Sequence, residues 1–365
     1  MRIVVISHAY GGDGASQMLL LAARHWVRDL GWRVDAVVPR QLPAQALADI
    51  EACGMRAVKH ALFGDGYDFA VVNCLHNIRF VEALRGRLPV ALWAHEAQTI
   101  LRSSGWDARR WQELFAGASK IIFQTRVQRD LYAPYLPPDA QTRVAIVPNA
   151  IPPIPAFGAA ARQTAAHGDA MRIVALGKVT PLKGQADLVR AVAALSPRLQ
   201  LRCELIGGDE HLDHLDAGAR ALLAERGDLF ALRGALPRPL ALQQVAAADL
   251  FCFPSHAESF GLAPLEAAAL GTPVILADLD TYREVGWVHE QNCLLHAPGD
   301  AHGLASAIAR LHGNPELGRT IRDGSAELIA RYPVKVFLHS LTNAMLGLRL
   351  AAPRFNPAAP ARRPP

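Results

Sequence analysis

The chain starts twice. Met1-Arg-Ile-Val opens one short β-branched run, residues 3–6, and Met171-Arg-Ile-Val opens another, residues 173–176. Each run leads into a glycine-containing turn and then a stretch with apolar residues at helical spacing. Residues 8–14 precede a stripe of Leu19, Ala22, Ala23, Trp26, Val27 and Leu30, and residues 177–184 precede Leu188, Val192 and Leu195. Such stripes are the single apolar faces of helices packed on a sheet. Strand-like runs recur at 33–38, 69–72, 90–93, 121–123 and 144–147, then at 201–206, 250–253 and 274–276. Strands separated by helices pair parallel, because a parallel connection needs a crossover. The pattern predicts an α/β chain of two Rossmann-like domains facing across a cleft.

The expected boundaries are 1–150 for the first domain and 171–333 for the second. Residues 151–170 are rich in Pro, Ala and Gly without a period and read as a linker. A helix at about 334–350 is expected to pack back on the first domain, and 351–365 to be a disordered Pro/Ala/Arg tail. Residues 144–161 form an 18-residue stretch without a charge, but Pro148, Pro152, Pro153 and Pro155 exclude a membrane helix there. The opening apolar run is too short for the core of a signal peptide. Cys53, Cys74, Cys203, Cys252 and Cys293 are odd in number and form no CxxC pair. That argues against a disulfide scaffold or a cysteine zinc site and suits a reducing cytoplasm.

Residues 1–150 carry 17 basic and 13 acidic side chains, whereas 151–350 carry 18 and 20. The first domain is therefore basic by +4 and the second acidic by −2. No Lys/Arg run or RNA-binding aromatic motif accompanies this balance, so no nucleic-acid partner is expected.

Ligands of open parallel sheets bind beyond the carboxyl ends of the strands. In the second half that rule selects Lys178 and Lys183, in a turn that opens a helix, where free N–H groups and the helix dipole favour an anion. It also selects the loop after 250–253, with Glu258 and Glu266 eight residues apart and a helix start at Gly261-Leu262-Ala-Pro. The backbone near Phe260–Leu262 is free to bind an anion, and a carboxylate such as Glu266 can accept both hydroxyls of a ribose diol. In the first half the rule selects His8, His76 and His95, each following a strand.

The segment from Glu258 to Val274, Glu-Ser-Phe-Gly-Leu-Ala-Pro-Leu-Glu-Ala-Ala-Ala-Leu-Gly-Thr-Pro-Val, resembles the E-x7-E segment of the GT-B glycosyltransferases of family 4, glycosyltransferase group 1. Residues 177–184 resemble that family's G-R-x4-K-G turn. Leu205-Ile-Gly-Gly, Leu232-Arg-Gly, Ala248-Asp, Pro148-Asn-Ala-Ile and residues 292–300 follow in the family's order. The resemblance runs from about residue 1 to 350 and is densest at 171–310.

The resemblance implies a retaining, metal-independent glycosyltransferase. It would move a sugar from a nucleotide-diphosphate donor to a glycan or lipid-linked acceptor, in bacterial-type surface polysaccharide or glycolipid synthesis. Lys178 and Lys183 would bind the diphosphate, and Glu266 the ribose. Glu258, with the backbone of Ser259, Phe260, Gly261 and Leu262, would contact the donor sugar and distal phosphate. Gly12 and Gly14 would line the phosphate side, and His95 would stand near the transferred sugar. Glu258, His95 and Lys183 are thus the expected catalytic residues, with no cofactor and no metal. A nucleotide-sugar epimerase or phosphorylase on the same fold, and a degenerate sugar-nucleotide-binding partner subunit, are the alternatives. Three departures stand out: Lys178 replaces the family's Arg, G-G-x-x-E becomes Asp280-Thr-Tyr-Arg-Glu284, and the amino-terminal half, where the acceptor would be recognised, is somewhat short for the family.

Three further patterns compete. Asp278-Leu-Asp280 has the D-x-D form of a metal–nucleotide site. His211-Leu-Asp-His-Leu-Asp216 could be a metal cluster but reads better as a helix start with Leu212 and Leu215 inward. Gly12-x-Gly14-x-x-Gln17 is a dinucleotide fingerprint without its third glycine. Finally, residues 101–115 combine Trp106 and Trp111 with Arg102, Arg109 and Arg110. A helix from Asp107 would set Trp111, Leu114 and Phe115 on one face, as in a peripheral contact with the inner face of the cell membrane.

Overall fold

The computed structural model describes residues 1–39, 42–59, 66–155, 157 and 170–351. Most of the expected linker and nearly all of the expected tail lie outside the described residues. The chain separates into two compact units, Met1–Pro152 joined by the helix Val334–Ala351, and Pro153–Pro333.

The first unit holds seven parallel strands: β1 (Arg2–Ser7), β2 (Arg33–Val37), β3 (Arg56–Val58), β4 (Phe69–Asn73), β5 (Val90–Trp93), β6 (Lys120–Phe123) and β7 (Val144–Ile146). Their order is β3-β2-β1-β4-β5-β6-β7. The second holds six: β8 (Met171–Leu176), β9 (Leu201–Ile206), β10 (Phe230–Leu232), β11 (Leu250–Phe253), β12 (Val274–Ala277) and β13 (Leu294–His296), in the order β10-β9-β8-β11-β12-β13. Both are doubly wound sheets of the Rossmann type, and in both the order reverses beside the first strand. The α/β two-domain expectation therefore holds. The sequence reading missed β3, β10 and β13, each three residues long.

Helices on both faces leave the central strands no wet side, so β4, β5, β11 and β12 are buried at every position. The helix Gly14–Arg28 is capped by Asp13, whose Oδ1 accepts from Ser16 N at 2.7 Å, and buries Met18, Leu19, Ala22, Ala23 and Trp26. The helix Val334–Ala351 packs on this unit. Its Thr342 Oγ1 accepts from Trp26 Nε1 at 3.1 Å, and its Phe337 ring lies 6.0 Å from Trp93. All five cysteines are buried thiols.

The stretch expected to meet a membrane has its apolar face elsewhere. A helix does run Ala108–Phe115 from an Asp107 cap, but Trp111, Leu114 and Phe115 are fully buried in the core of the first unit. Trp111 meets the Trp106 ring edge-on at 5.0 Å, and Arg110 pairs with Glu82 at 2.7 Å and Arg109 with Glu113 at 3.3 Å. The amphipathic pattern is that of a helix on its own sheet, so the apolar face expected to make the peripheral membrane contact of 101–115 is taken up by the core, and that contact is not shown. Among the described residues no helix is long and apolar enough to cross a membrane.

Candidate functional site

In the second unit the strand order reverses between β8 and β11, and the loops leaving these two strands meet at their carboxyl ends. The turn after β8 ends in a 3-10 turn, Pro181–Lys183, and Gly184, which caps the helix Gln185–Leu195. Gly184 has φ 65, and a Cβ there would come within 2.1 Å of Pro254 O in the loop after β11. Only glycine lets the two loops approach this closely. His256 N donates to Leu182 O at 2.7 Å, which fixes the same approach from the other side.

That approach places Lys183 against Glu258. The ammonium Nζ is bonded to Glu258 Oε1 and stands 4.8 Å from the centre of the Phe253 ring. Glu258 is itself held by its backbone, since Thr281 Oγ1 donates to Glu258 O at 2.9 Å. Beyond it, Ser259, Phe260 and Gly261 lead into the helix Leu262–Ala269. Gly261 has φ 85, and a Cβ would meet the Tyr282 ring at 2.6 Å. The Phe260 ring is buried, edge-on to Tyr332, so this residue offers the site its backbone alone. Two helix starts and one ammonium therefore gather where the sheet order reverses, an arrangement suited to a phosphate-bearing ligand.

Lys178 is placed differently. Its side chain is exposed, while its backbone O accepts from Gln185 Nε2 at 2.9 Å. The two lysines do not share Glu258. The second carboxylate has a partner that sequence reasoning missed: Arg238 donates to Glu266 Oε1 from both Nε, at 3.1 Å, and Nη2, at 2.5 Å. Glu266 is 6% exposed, and burial raises its carboxyl pKa against the opposing pull of Arg238. Another missed pair is His256 Nε2 with Asp187 Oδ2 at 2.7 Å.

The competing carboxylates are engaged. Arg283 bridges Asp278, at 2.9 and 2.5 Å, and Asp280, at 3.3 Å. The segment read as a helix start is a 3-10 turn, Asp209–His214, after which Asp216 caps the helix Ala217–Glu225 and pairs with Arg190 at 2.5 Å. Leu215 is buried in the core, as that reading required. Among the described residues no group of three or more His, Cys, Asp or Glu could hold a metal ion.

In the first unit the corresponding strand ends carry imidazoles. Glu96, which sequence reasoning passed over, organises them. One carboxylate oxygen accepts from Leu75 N at 2.9 Å and from His95 N at 3.0 Å, and the other meets His76 Nδ1 at 2.8 Å. Burial works against its charge, but these bonds hold its pKa below the usual carboxylate range. Asp13 is held at about 2 in the same way: burial opposes its charge, and bonds from His8 and Ser16 overcome that. The His8 and His76 rings stand 5.2 Å apart. His95 Nε2 meets Asn73 Oδ1 at 3.0 Å, and burial pushes its pKa down to about 4, so it is a neutral imidazole at pH 7. Next to Asn73, Cys74 has φ 73, a strained value for a side-chain-bearing residue. Gly12, at φ 82, and Gly14, the first residue of the helix, form the turn between His8 and this helix.

Residues 170–314 match the family described as glycosyl transferases group 1. The second unit is a group 1 glycosyltransferase domain. The D-inositol 3-phosphate glycosyltransferase of Thermobispora bispora is 31% identical over 224 residues, 59% of this chain and 51% of the relative. That of Kribbella flavida is 38% identical over 180 residues, 46% of this chain and 42% of the relative. The chain spans about half the length of the curated relatives it matches. Among solved structures, Anabaena HepE in complex with UDP and glucose has a TM-score of 0.79 at 19% identity, over 95% of this chain and 100% of that one. Sucrose-phosphate synthase of Thermosynechococcus elongatus has 0.76 at 20%, over 96% and 100%. These likenesses establish the two-domain GT-B fold.

Proposed function

We propose that the protein is a retaining, metal-independent glycosyltransferase that takes its sugar from a nucleoside-diphosphate donor. The observation that carries the reading is the Lys183–Glu258 pair, set between two helix N-termini where the second sheet reverses its order. When the donor diphosphate arrives, Lys183 exchanges its carboxylate for phosphate oxygens. There it stabilises the charge that builds as the diphosphate leaves. The backbone N–H groups at 260–262 bind the distal phosphate. Glu258, released from Lys183, accepts hydroxyls of the donor sugar, and Glu266 accepts the ribose. The acceptor hydroxyl attacks on the face the leaving group departs, and the departing phosphate takes its proton. His95, neutral at pH 7, can accept or donate one hydrogen bond to a sugar without adding charge. The engagement of Asp278 and Asp280 by Arg283, together with the cationic phosphate site, supports metal independence.

The acceptor is a glycan or lipid-linked sugar, and the relatives' names add inositol phosphate to the acceptors worth trying. Incubation with a panel of nucleotide sugars and these acceptors tests the reading. A glycoside with the donor's anomeric configuration, formed equally well in EDTA, is the expected product. Free-sugar isomers would indicate an epimerase, binding without turnover a partner subunit, and an absolute need for Mn²⁺ a metal site.

A further inference from the structure

The buried carboxylate of Glu266 is loaded unevenly. Both bonds from Arg238 fall on Oε1. No other described residue partners the group, and Arg238 is the one charged side chain set against it. A carboxylate oxygen has two lone pairs, so Oε1 is saturated and Oε2 keeps its full accepting capacity. The guanidinium is anchored at its far end as well, because Nη1 donates to Pro153 O at 3.2 Å. Its position at the start of the helix Arg238–Ala246, after β10, sets its stem on a rigid element.

We propose that Arg238 is a positioning residue of the donor site, which keeps Glu266 ionised and presents Oε2 as the acceptor of the ribose hydroxyls. This rests on the donor reading given above. A carboxylate buried this deeply holds its charge only with a cation beside it. Without Arg238 the group takes up a proton more readily as the pH falls, and a protonated carboxyl both loses acceptor capacity and turns a donor toward the hydroxyls. Arg238 need not touch the nucleotide to matter: it sets the charge and the rotamer of the residue that does.

The test uses the full chain and calorimetric binding of UDP, GDP and ADP, each beside its 2′-deoxy form, at pH 8 and pH 6. Wild-type protein should bind one of the ribonucleotides with an affinity that changes between these pH values only as far as the nucleotide's own terminal phosphate, titrating at about pH 6, dictates, and bind the deoxy form roughly tenfold more weakly. Arg238→Met should bind the ribonucleotide roughly tenfold more weakly at pH 6 than at pH 8, with ribose preference lost at the lower pH. Arg238→Lys, which keeps the charge without the fork, should restore the wild-type pH response. Glu266→Gln in the Arg238→Met background removes the unpaired acid and should bind weakly at both pH values, a control that does not depend on the single variant's folding. Equal binding by wild type and Arg238→Met at both pH values would overturn the proposal while leaving the donor reading in place. Binding of none of these nucleotides by wild type would overturn both.

Discussion

The two sheets have the same winding and place loops at the same kind of reversal, yet they furnish those loops with opposite chemistry. In the second unit the groups are chiefly permanent charges in pairs, Lys183 with Glu258 and Arg238 with Glu266, with the single imidazole of His256 bonded to Asp187 beside them. In the first they are imidazoles, His8, His76 and His95, backed by the carboxylates of Asp13 and Glu96. Fixed cations suit a ligand whose charge does not vary, as that of a diphosphate esterified at both ends does not. Imidazoles suit work in which a proton or a single hydrogen bond matters. The winding decides where a ligand can sit, and the loops decide what it can be.

The comparison breaks most sharply at Lys183. On the proposed donor reading, Lys183→Ala should cost roughly a thousandfold in kcat/KM, about 4 kcal/mol, because it removes the ammonium that would face the leaving diphosphate. Lys178→Ala, whose side chain is exposed and stands apart from Glu258, should cost about tenfold or less. Steady-state kinetics with the donor that wild type accepts decides this. Equal losses from the two lysines would mean that the turn rearranges to bring both onto one anion.

The two glutamates should divide by kinetic constant. On the same reading, Glu258→Gln should lower kcat by roughly a hundredfold with donor KM little changed, since the group would act where the sugar transfers. Glu266→Ala should instead raise donor KM by roughly tenfold. If Glu266→Ala left KM unmoved, the ribose would lie elsewhere and the uneven loading of Glu266 would have another cause.

The first unit offers a contrast in pH. His95 has its folded pKa at about 4, below the ordinary value of about 6.5 for an unfolded chain. Between those values the unfolded state binds the proton and the folded state does not, so stability rises with pH across that window and falls on acidification. His95→Asn should flatten the slope between pH 6.5 and 4 by on the order of 2 kcal/mol, after allowance for a ring that is only partly buried. Chemical denaturation at stepped pH reads it directly. An unchanged slope would place the titrating group elsewhere.

What was legible in the chain follows the range of the interactions. The long β-branched runs announced themselves, because a strand buried on both faces needs a continuous apolar stretch. Arg56–Val58, Phe230–Leu232 and Leu294–His296 are too short for a period to show. Lys183, Glu258 and His95 were singled out because each lies in the segment that follows a strand, and Glu266 because it lies eight positions beyond Glu258, in the helix Leu262–Ala269. Arg238 was missed because its partner lies 28 positions away and ordinary helix and turn signals say nothing about it. Glu96 was missed although it follows His95, since Leu75 and His76, which it also holds, lie 20 or more positions earlier. The helix Ala108–Phe115 misled for a different reason. An apolar stripe has the same spacing whether lipid or a sheet covers it, and here the sheet does.

The smallest expected effect concerns how Glu258 is kept in place. Thr281 stands where the resembling family has the second glycine of G-G-x-x-E, and its side chain is buried beneath the loop it holds. Its hydroxyl donates to the Glu258 carbonyl at 2.9 Å, a bond that a glycine could not make. The bond locks the backbone of the residue whose carboxylate faces Lys183, so the departure from glycine is compensated by a tie of its own. Thr281→Val keeps the branched shape and removes the donor. It should lower stability by about 1 kcal/mol and kcat by a few-fold, with donor KM unchanged, because the carboxylate is loosened and the nucleotide contacts are not. Thr281→Ser returns the hydroxyl and should recover most of kcat, which a loss of packing alone would not allow. Thermal melts beside steady-state kinetics separate the two contributions. If Val and Ser behaved alike in both, the loop would owe its position to Gly261 seated on the Tyr282 ring, and the hydroxyl would have no part in it.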